Sequence, residues 1–207
     1  MNSNWAEENL QTIRTLMERS ALYRRALAPI MLVAGSLGVT AAAAALYLRA
    51  ESPQAFAGLW LGTAGVAVAG SFLLARRQAS QEAEPFWSPP TRRVAQALLP
   101  PLVCGLFVSV MLAALDANGS VDFPMALIWI LFYGCALHSA GFFMARGIRW
   151  FGWIFIAGVV ILVLSLRLGN WSVQPPMASM MMGFFFGVLH LVYGVYLYLT
   201  ERKNPGV

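Results

Sequence analysis

The chain has 207 residues, 59% of them hydrophobic, and only 11% are Asp, Glu, Lys or Arg. Soluble domains carry about 25% charged residues, so this composition excludes an ordinary soluble protein and leaves no room for a separate globular domain. The net charge of +5 would suggest a nucleic-acid partner in a soluble chain, but here the positive charges are arranged for a different reason.

Charged side chains are absent from six long apolar segments, which are 28–48, 56–75, 94–115, 123–145, 150–166 and 177–199. A helix of about 20 apolar residues crosses a bilayer core of about 30 Å. In lipid only helices and closed barrels satisfy their own backbone groups, and these segments are too long and continuous for barrel strands. The sequence therefore predicts an all-α, polytopic integral membrane protein, with a six-transmembrane-helix bundle over 28–199.

The segment before the bundle, 1–27, is polar with apolar residues at helical spacing. Asn4 followed by Glu7 is typical of a helix N-cap and its partner. The segment therefore predicts a cytoplasmic amphipathic helix that lies on the inner leaflet. The alternative is that this helix docks a cytoplasmic protein partner. Residues 200–207 are expected to form a short cytoplasmic tail.

The positive charges are asymmetric across the six segments. If the N-terminus is cytoplasmic, every Lys and Arg except Arg49 and Arg167 lies on the cytoplasmic side. The positive-inside rule then predicts a multi-pass protein of an inner or plasma membrane with both termini in the cytoplasm. A basic cytoplasmic face attracts anionic lipid headgroups, which explains the net charge without nucleic acid.

The second and third segments each carry one local feature. Gly58, Gly62 and Gly65 form a small-residue face in the second segment, which favours close packing inside the bundle or, alternatively, a homodimer seam. Pro100 and Pro101 in the third segment predict a kinked or broken helix, because each proline removes a backbone hydrogen bond. Between these two segments, 76–93 is predicted to be an internal loop available to a partner.

The two histidines are the only candidates for chemistry. His138 and His190 both lie within apolar segments, where an ionisable residue is a functional-site hypothesis. Their segments run in the same direction, and their predicted depths differ by only about 3 Å at 1.5 Å rise per residue. Glycines share the helix face of each histidine, at steps of three or four residues: Gly134 and Gly141 for His138, and Gly187 and Gly194 for His190.

Two interpretations of the histidines follow. Two facing imidazoles could ligate the iron of haem b, with the glycines leaving space for the porphyrin, and Cys135 near His138 offers a His/Cys metal site. Alternatively, a neutral histidine hydrogen-bonds a neighbouring helix, for which Tyr133 or Tyr193 is a suitable partner. The structural role is the prediction, so neither a cofactor nor a metal is expected, and haem b on His138 and His190 is the alternative.

Other chemistries lack the residues that they need. The apolar segments hold no Asp, Glu, Lys or Arg, which ion-coupled transporters usually place there. The sequence has no nucleophile paired with a base and no H-E-x-x-H, Walker or dinucleotide motif. Neither catalytic residues nor enzyme activity are therefore expected.

The function predicted from these features is that of a small non-catalytic membrane protein. It is an accessory, scaffold or sensor subunit that acts through helix packing and cytoplasmic contacts with a protein partner or a second copy. The first alternative is a haem-binding redox or sensor protein that uses His138 and His190. The second is a carrier or channel for a neutral or lipophilic solute, using the small face of the second segment and the Pro100-Pro101 kink.

Overall fold

The structure, a computed structural model, describes residues 26–49, 52–81, 86–115, 122–169, 172–174 and 176–203. Across these residues the protein is all-helical, with no strand, and it has six helices long and apolar enough to cross a membrane. The predicted helical class and the number of candidate spans are therefore confirmed. The predicted amphipathic helix over 1–27 falls almost entirely outside the described residues.

Six helices follow one another along the chain: α1 (Ala26–Tyr47), α2 (Pro53–Gln81), α3 (Pro89–Leu115), α4 (Asp122–Ala140), α5 (Arg146–Gly169) and α6. Helix α6 has three consecutive parts, which are α-helical Met177–Met182, π-helical Gly183–Val188 and α-helical Leu189–Lys203. The π-helical part was not predicted, because a π segment has no sequence signature comparable to that of a span.

Several helices do not end where the charge-free segments end. Helix α2 continues past Arg76 and Arg77, and α3 begins before Arg92, so much of the predicted loop 76–93 is helical. Charges limit how far a segment can lie in hydrocarbon, but they do not stop backbone hydrogen bonding. Helix α4 instead ends at Ala140, five residues before its charge-free segment ends.

Local sequence explains where α2 and α3 begin. Ser52 precedes Pro53, and its hydroxyl accepts a hydrogen bond from the Ala55 backbone N–H at 3.2 Å. Ser88 stands in the same position before Pro89, which is the first residue of α3. Serine at the N-cap satisfies a free backbone N–H, and proline at the first helical position needs no partner.

Of the kink or break expected at Pro100 and Pro101, the break does not occur. Helix α3 runs continuously from Pro89 to Leu115 through both prolines. Proline removes single hydrogen bonds from a helix, but the bonds of the flanking turns remain, and in lipid a helical backbone has no better alternative.

Glycines hold four of the helices together. A Cβ atom at Gly38 of α1 would lie 2.5 Å from the Phe186 carbonyl oxygen of α6. One at Gly152 of α5 would lie 2.6 Å from the His138 backbone nitrogen of α4. Both distances are too short for a real Cβ, so α1 packs on α6 and α5 packs on α4 with their backbones in near contact, as small residues allow.

Helix α2 packs through aromatic residues rather than through its glycines. Phe56 and Trp60 are its buried residues, and Phe56 stacks on Trp129 of α4 with ring centroids 5.9 Å apart. A Cβ at Gly58, Gly62 or Gly65 would meet no atom of the described residues within 4 Å. The expectation that this small face packs inside the bundle is therefore wrong, because the aromatic face on the other side of α2 offers more area to bury.

Candidate functional site

A hydrogen-bonded pair of side chains lies at the centre of the helices. The hydroxyl of Tyr133 on α4 lies 2.8 Å from His190 Nε2 on α6. On its other side, His190 Nδ1 lies 3.0 Å from the backbone carbonyl oxygen of Phe185. A Tyr–His hydrogen bond between helices is what the structural interpretation predicted, and the geometry confirms it for Tyr133 with His190.

The partners of His190 determine where its proton lies. A carbonyl oxygen can only accept a hydrogen bond, so Nδ1 carries the proton and donates to Phe185. In the neutral ring Nε2 is then an acceptor, and the Tyr133 hydroxyl donates to it. Both ring nitrogens are occupied, and the one hydroxyl proton of Tyr133 is used as well.

Aromatic rings enclose this pair. Phe151 and Phe155 on α5 meet the His190 ring edge-on, with centroids 5.1 and 5.6 Å away, and Phe186 on α6 stacks on it at 6.1 Å. Only 1% of His190 is exposed. A neutral imidazole suits these surroundings, because an ion buried among apolar groups without a partner charge is strongly disfavoured.

The structure does not bring His138 to His190. His138 lies in the last turn of α4, about 7.5 Å further along that helix than Tyr133 at 1.5 Å rise per residue. Its ring packs edge-on against Phe142 and Trp153, with centroids 5.4 and 5.2 Å away. Its Nδ1 atom is buried without a hydrogen-bond partner in the described part of the chain.

The glycines near the two histidines lie against neighbouring helices. A Cβ at Gly134 would lie 2.8 Å from the Phe155 Cβ, one at Gly141 2.6 Å from the Arg149 nitrogen, one at Gly187 2.8 Å from the Val39 nitrogen, and one at Gly194 3.0 Å from the Leu32 nitrogen. Protein atoms thus fill the space proposed for a porphyrin. Ligation of iron by His190 would also require one of its hydrogen bonds to break. Haem binding stays an untested alternative.

A cavity of about 360 Å³ lies beside the Tyr133–His190 pair. Side chains from α1, α2, α3, α4 and α6 line it, and the residues from α2 extend from Trp60 to Ser71. At 1.5 Å rise per residue this is a length of about 16 Å, roughly half the thickness of a bilayer core. The cavity is therefore elongated along the helix axis and almost wholly apolar.

The cavity opens sideways, between α2 and α3. Four of its lining residues also lie on the outer surface, with exposed fractions between 40% and 68%: Leu61 and Val68 of α2, and Leu102 and Leu106 of α3. Helices α2 and α3 border the opening without packing closely against each other. All four side chains are apolar, so the opening faces hydrocarbon if these helices cross a membrane.

Sequence reasoning missed this cavity, although it named Tyr133 and His190, without pairing them, among the candidates for a Tyr–His hydrogen bond. Its small lining residues, such as Ala64 and Ala67, resemble ordinary packing residues in the sequence. The position of α2, held away from α3, creates the space, and a single sequence carries no signal for that position.

Comparison with known proteins produced no match to a family model, to a curated protein or to a solved structure.

Proposed function

We propose that this protein is a non-catalytic, multi-pass membrane protein that binds a neutral, lipophilic small molecule in the cavity beside Tyr133 and His190, as a carrier or a sensor of that molecule. The observation that carries the proposal is the elongated apolar cavity of about 360 Å³. Pockets for small molecules have volumes of about 300–1,000 Å³ and are mostly apolar with few polar groups. This cavity meets each of these criteria.

The site favours a lipophilic ligand over an ionic one. None of the residues that line the cavity is Asp, Glu, Lys or Arg, so a charged ligand would lose its hydration without gaining a counter-charge. The sideways opening between α2 and α3 suits a molecule already dissolved in the bilayer. The same geometry favours a carrier for a neutral or lipophilic solute, which is the second alternative of the sequence analysis, over an accessory role. An accessory role would need no cavity.

The membrane setting is part of the proposal. The asymmetry of Lys and Arg supports both termini on the cytoplasmic side of an inner or plasma membrane. The basic residues would then bind anionic lipid headgroups on that side, while the cavity lies within the span of α2.

Photolabelling tests the proposal. The protein is reconstituted in phosphatidylcholine vesicles with a medium-chain alcohol that carries a diazirine in its chain, and labelled peptides are identified by mass spectrometry. We expect labelling of cavity residues from α2 and α4 that excess unlabelled alcohol competes away. Labelling of the outer face of α5, which does not border the cavity, should not be competed, because bulk lipid is not a saturable site.

A matched pair of variants on α2 makes the test specific. Ala64→Phe fills the cavity, whereas Ala69→Phe adds the same ring to the exposed opposite face of the helix. Competed labelling should disappear in Ala64→Phe and persist in Ala69→Phe. Equal competed labelling in both variants, or none in the unmodified protein, would overturn the proposal.

A further inference from the structure

We infer that His190 is a positioning residue that keeps α6 in its π-helical register, because its imidazole N–H replaces a backbone donor that the π segment lacks. This inference goes beyond the proposed function, since it concerns the register of the helix and holds whether or not a ligand is bound. It rests on where the π segment ends and on which carbonyl oxygen the His190 ring binds.

The π segment changes the pattern of backbone hydrogen bonds within α6. The Leu189 N–H donates to the Phe184 carbonyl oxygen, which lies five residues back, and the second α-helical part begins at Leu189. Bonds in an α-helix run only four residues back, so one carbonyl oxygen is passed over where the step shortens. By this counting it is the carbonyl of Phe185, the residue that follows Phe184.

The side chain of His190 supplies a donor to that carbonyl. His190 Nδ1 lies 3.0 Å from the Phe185 carbonyl oxygen, and the Tyr133 hydroxyl on α4 holds the other ring nitrogen. A buried carbonyl without a donor is disfavoured, and a plain α-helix would give this one a backbone donor. The imidazole therefore stabilises the π segment against its conversion to α-helix.

The register of α6 decides what its first turn faces. If the π segment became α-helix, the residues before it would rotate by about 100° and move outward by about 1.5 Å, which is one residue's share of a helix. These residues would move because Met177–Met182 has only six residues, whereas the part after the π segment has 15. Each residue would then take the place of the one before it. Met182 would leave the cavity wall for the place of Met181.

The reactivity of a single thiol detects this rotation. Met181 is 7% exposed and Met180 is 55% exposed, so a rotation by one residue brings position 181 to the outer surface. Met181→Cys, in a background of Cys104→Ser and Cys135→Ser, is treated with N-ethylmaleimide in detergent, and labelling is followed by mass spectrometry. A buried thiol reacts only from an open state, so its rate follows the population of the rotated register.

Two substitutions of His190 separate the donor from the rest of the side chain. His190→Leu removes the donor, whereas His190→Asn keeps a short side chain with an N–H donor. We expect His190→Leu to raise the labelling rate of Met181→Cys about 5- to 100-fold, as the loss of a partner by a buried carbonyl allows. In His190→Asn most of this increase should be absent.

Two control thiols distinguish a change of register from general loosening. Ala126 is fully buried and, like Met181, lies four residues after the start of its helix. The labelling rate of Ala126→Cys should not rise in His190→Leu, and that of Met180→Cys, which is already exposed, should not rise either. An unchanged rate at position 181, or an equal rise at positions 126 and 181, would overturn the inference. Equal rates in His190→Leu and His190→Asn would overturn it as well.

The tautomer of His190 gives an independent test that leaves α6 unmodified. The chain has two histidines, so a His138→Gln protein with isotopically labelled histidine shows the His190 ring alone in a nitrogen NMR spectrum. We expect Nδ1 to carry the proton and Nε2 to carry none. A proton on Nε2 instead would leave the Phe185 carbonyl without its donor and would contradict the inference.

Discussion

His190 owes its protonation state to one backbone atom. The Phe185 carbonyl fixes the proton on Nδ1, and this assignment makes Nε2 the acceptor of the Tyr133 hydroxyl. The carbonyl belongs to the π-helical segment Gly183–Val188, and the ring reaches back five residues to it. Such segments are frequent at functional sites, and here it lies next to the cavity.

Loss of the Tyr133 hydroxyl should destabilise the protein. In Tyr133→Phe the buried Nε2 of His190 has no donor, and the expected cost is about 1 kcal/mol. This cost is measured as the decrease in the free energy of unfolding between the unmodified protein and Tyr133→Phe, by denaturant titration in detergent. Tyr47→Phe is the control, because Tyr47 is 88% exposed and should change stability by much less. Equal effects of the two variants would show that the Tyr133–His190 bond is not stabilising.

At the scale of the helices, the glycines fall into two groups with different surroundings. Those at the α1–α6 and α4–α5 contacts are needed because no side chain fits between the backbones. Those on the outer face of α2 have open space around them. The G-x-x-x-G spacing of Gly58 and Gly62 is a packing motif in sequence terms, yet none of the residues that the structure describes packs there.

Replacing these two kinds of glycine with alanine should have different effects on the stability of the protein. Gly152→Ala places a Cβ 2.6 Å from the His138 nitrogen and 2.7 Å from the Gly134 carbonyl oxygen, so it forces α4 and α5 apart. We expect the free energy of unfolding to fall by about 1–3 kcal/mol. In Gly62→Ala the new Cβ meets no atom in the described part of the chain, so the change should be neutral or should raise the free energy of unfolding by up to about 1 kcal/mol. Thermal unfolding of both variants in the same detergent would reveal the difference. A larger loss in Gly62→Ala would indicate that its face is covered in the assembled protein.

At the scale of the whole molecule, charge is proposed to set the orientation in the membrane, and the placement of the helices sets the shape of the cavity. The Arg-rich ends of the helices would keep one face of the bundle cytoplasmic. Helix α5 closes the aromatic core around His190, whereas α2 stands away from α3 and leaves the cavity open to one side.

The orientation can be checked with single cysteines. In a background of Cys104→Ser and Cys135→Ser, Arg49→Cys and Arg146→Cys place thiols at opposite ends of the bundle, both at exposed positions. A membrane-impermeant maleimide should label Arg49→Cys in intact cells, and Arg146→Cys only after permeabilisation. The reverse pattern would place the termini outside, and labelling of both in intact cells would contradict the six-span topology.

The sequence alone was sufficient for the helical class, the six candidate spans and a Tyr–His hydrogen bond. These depend on local composition, because a charge-free segment of about 20 residues has few alternatives in lipid. Tertiary structure decided which tyrosine meets which histidine, that His138 stands apart, and that the small face of α2 points outward. It alone produced the cavity, since an empty space is defined by how helices from distant parts of the chain are placed, and no single residue encodes that.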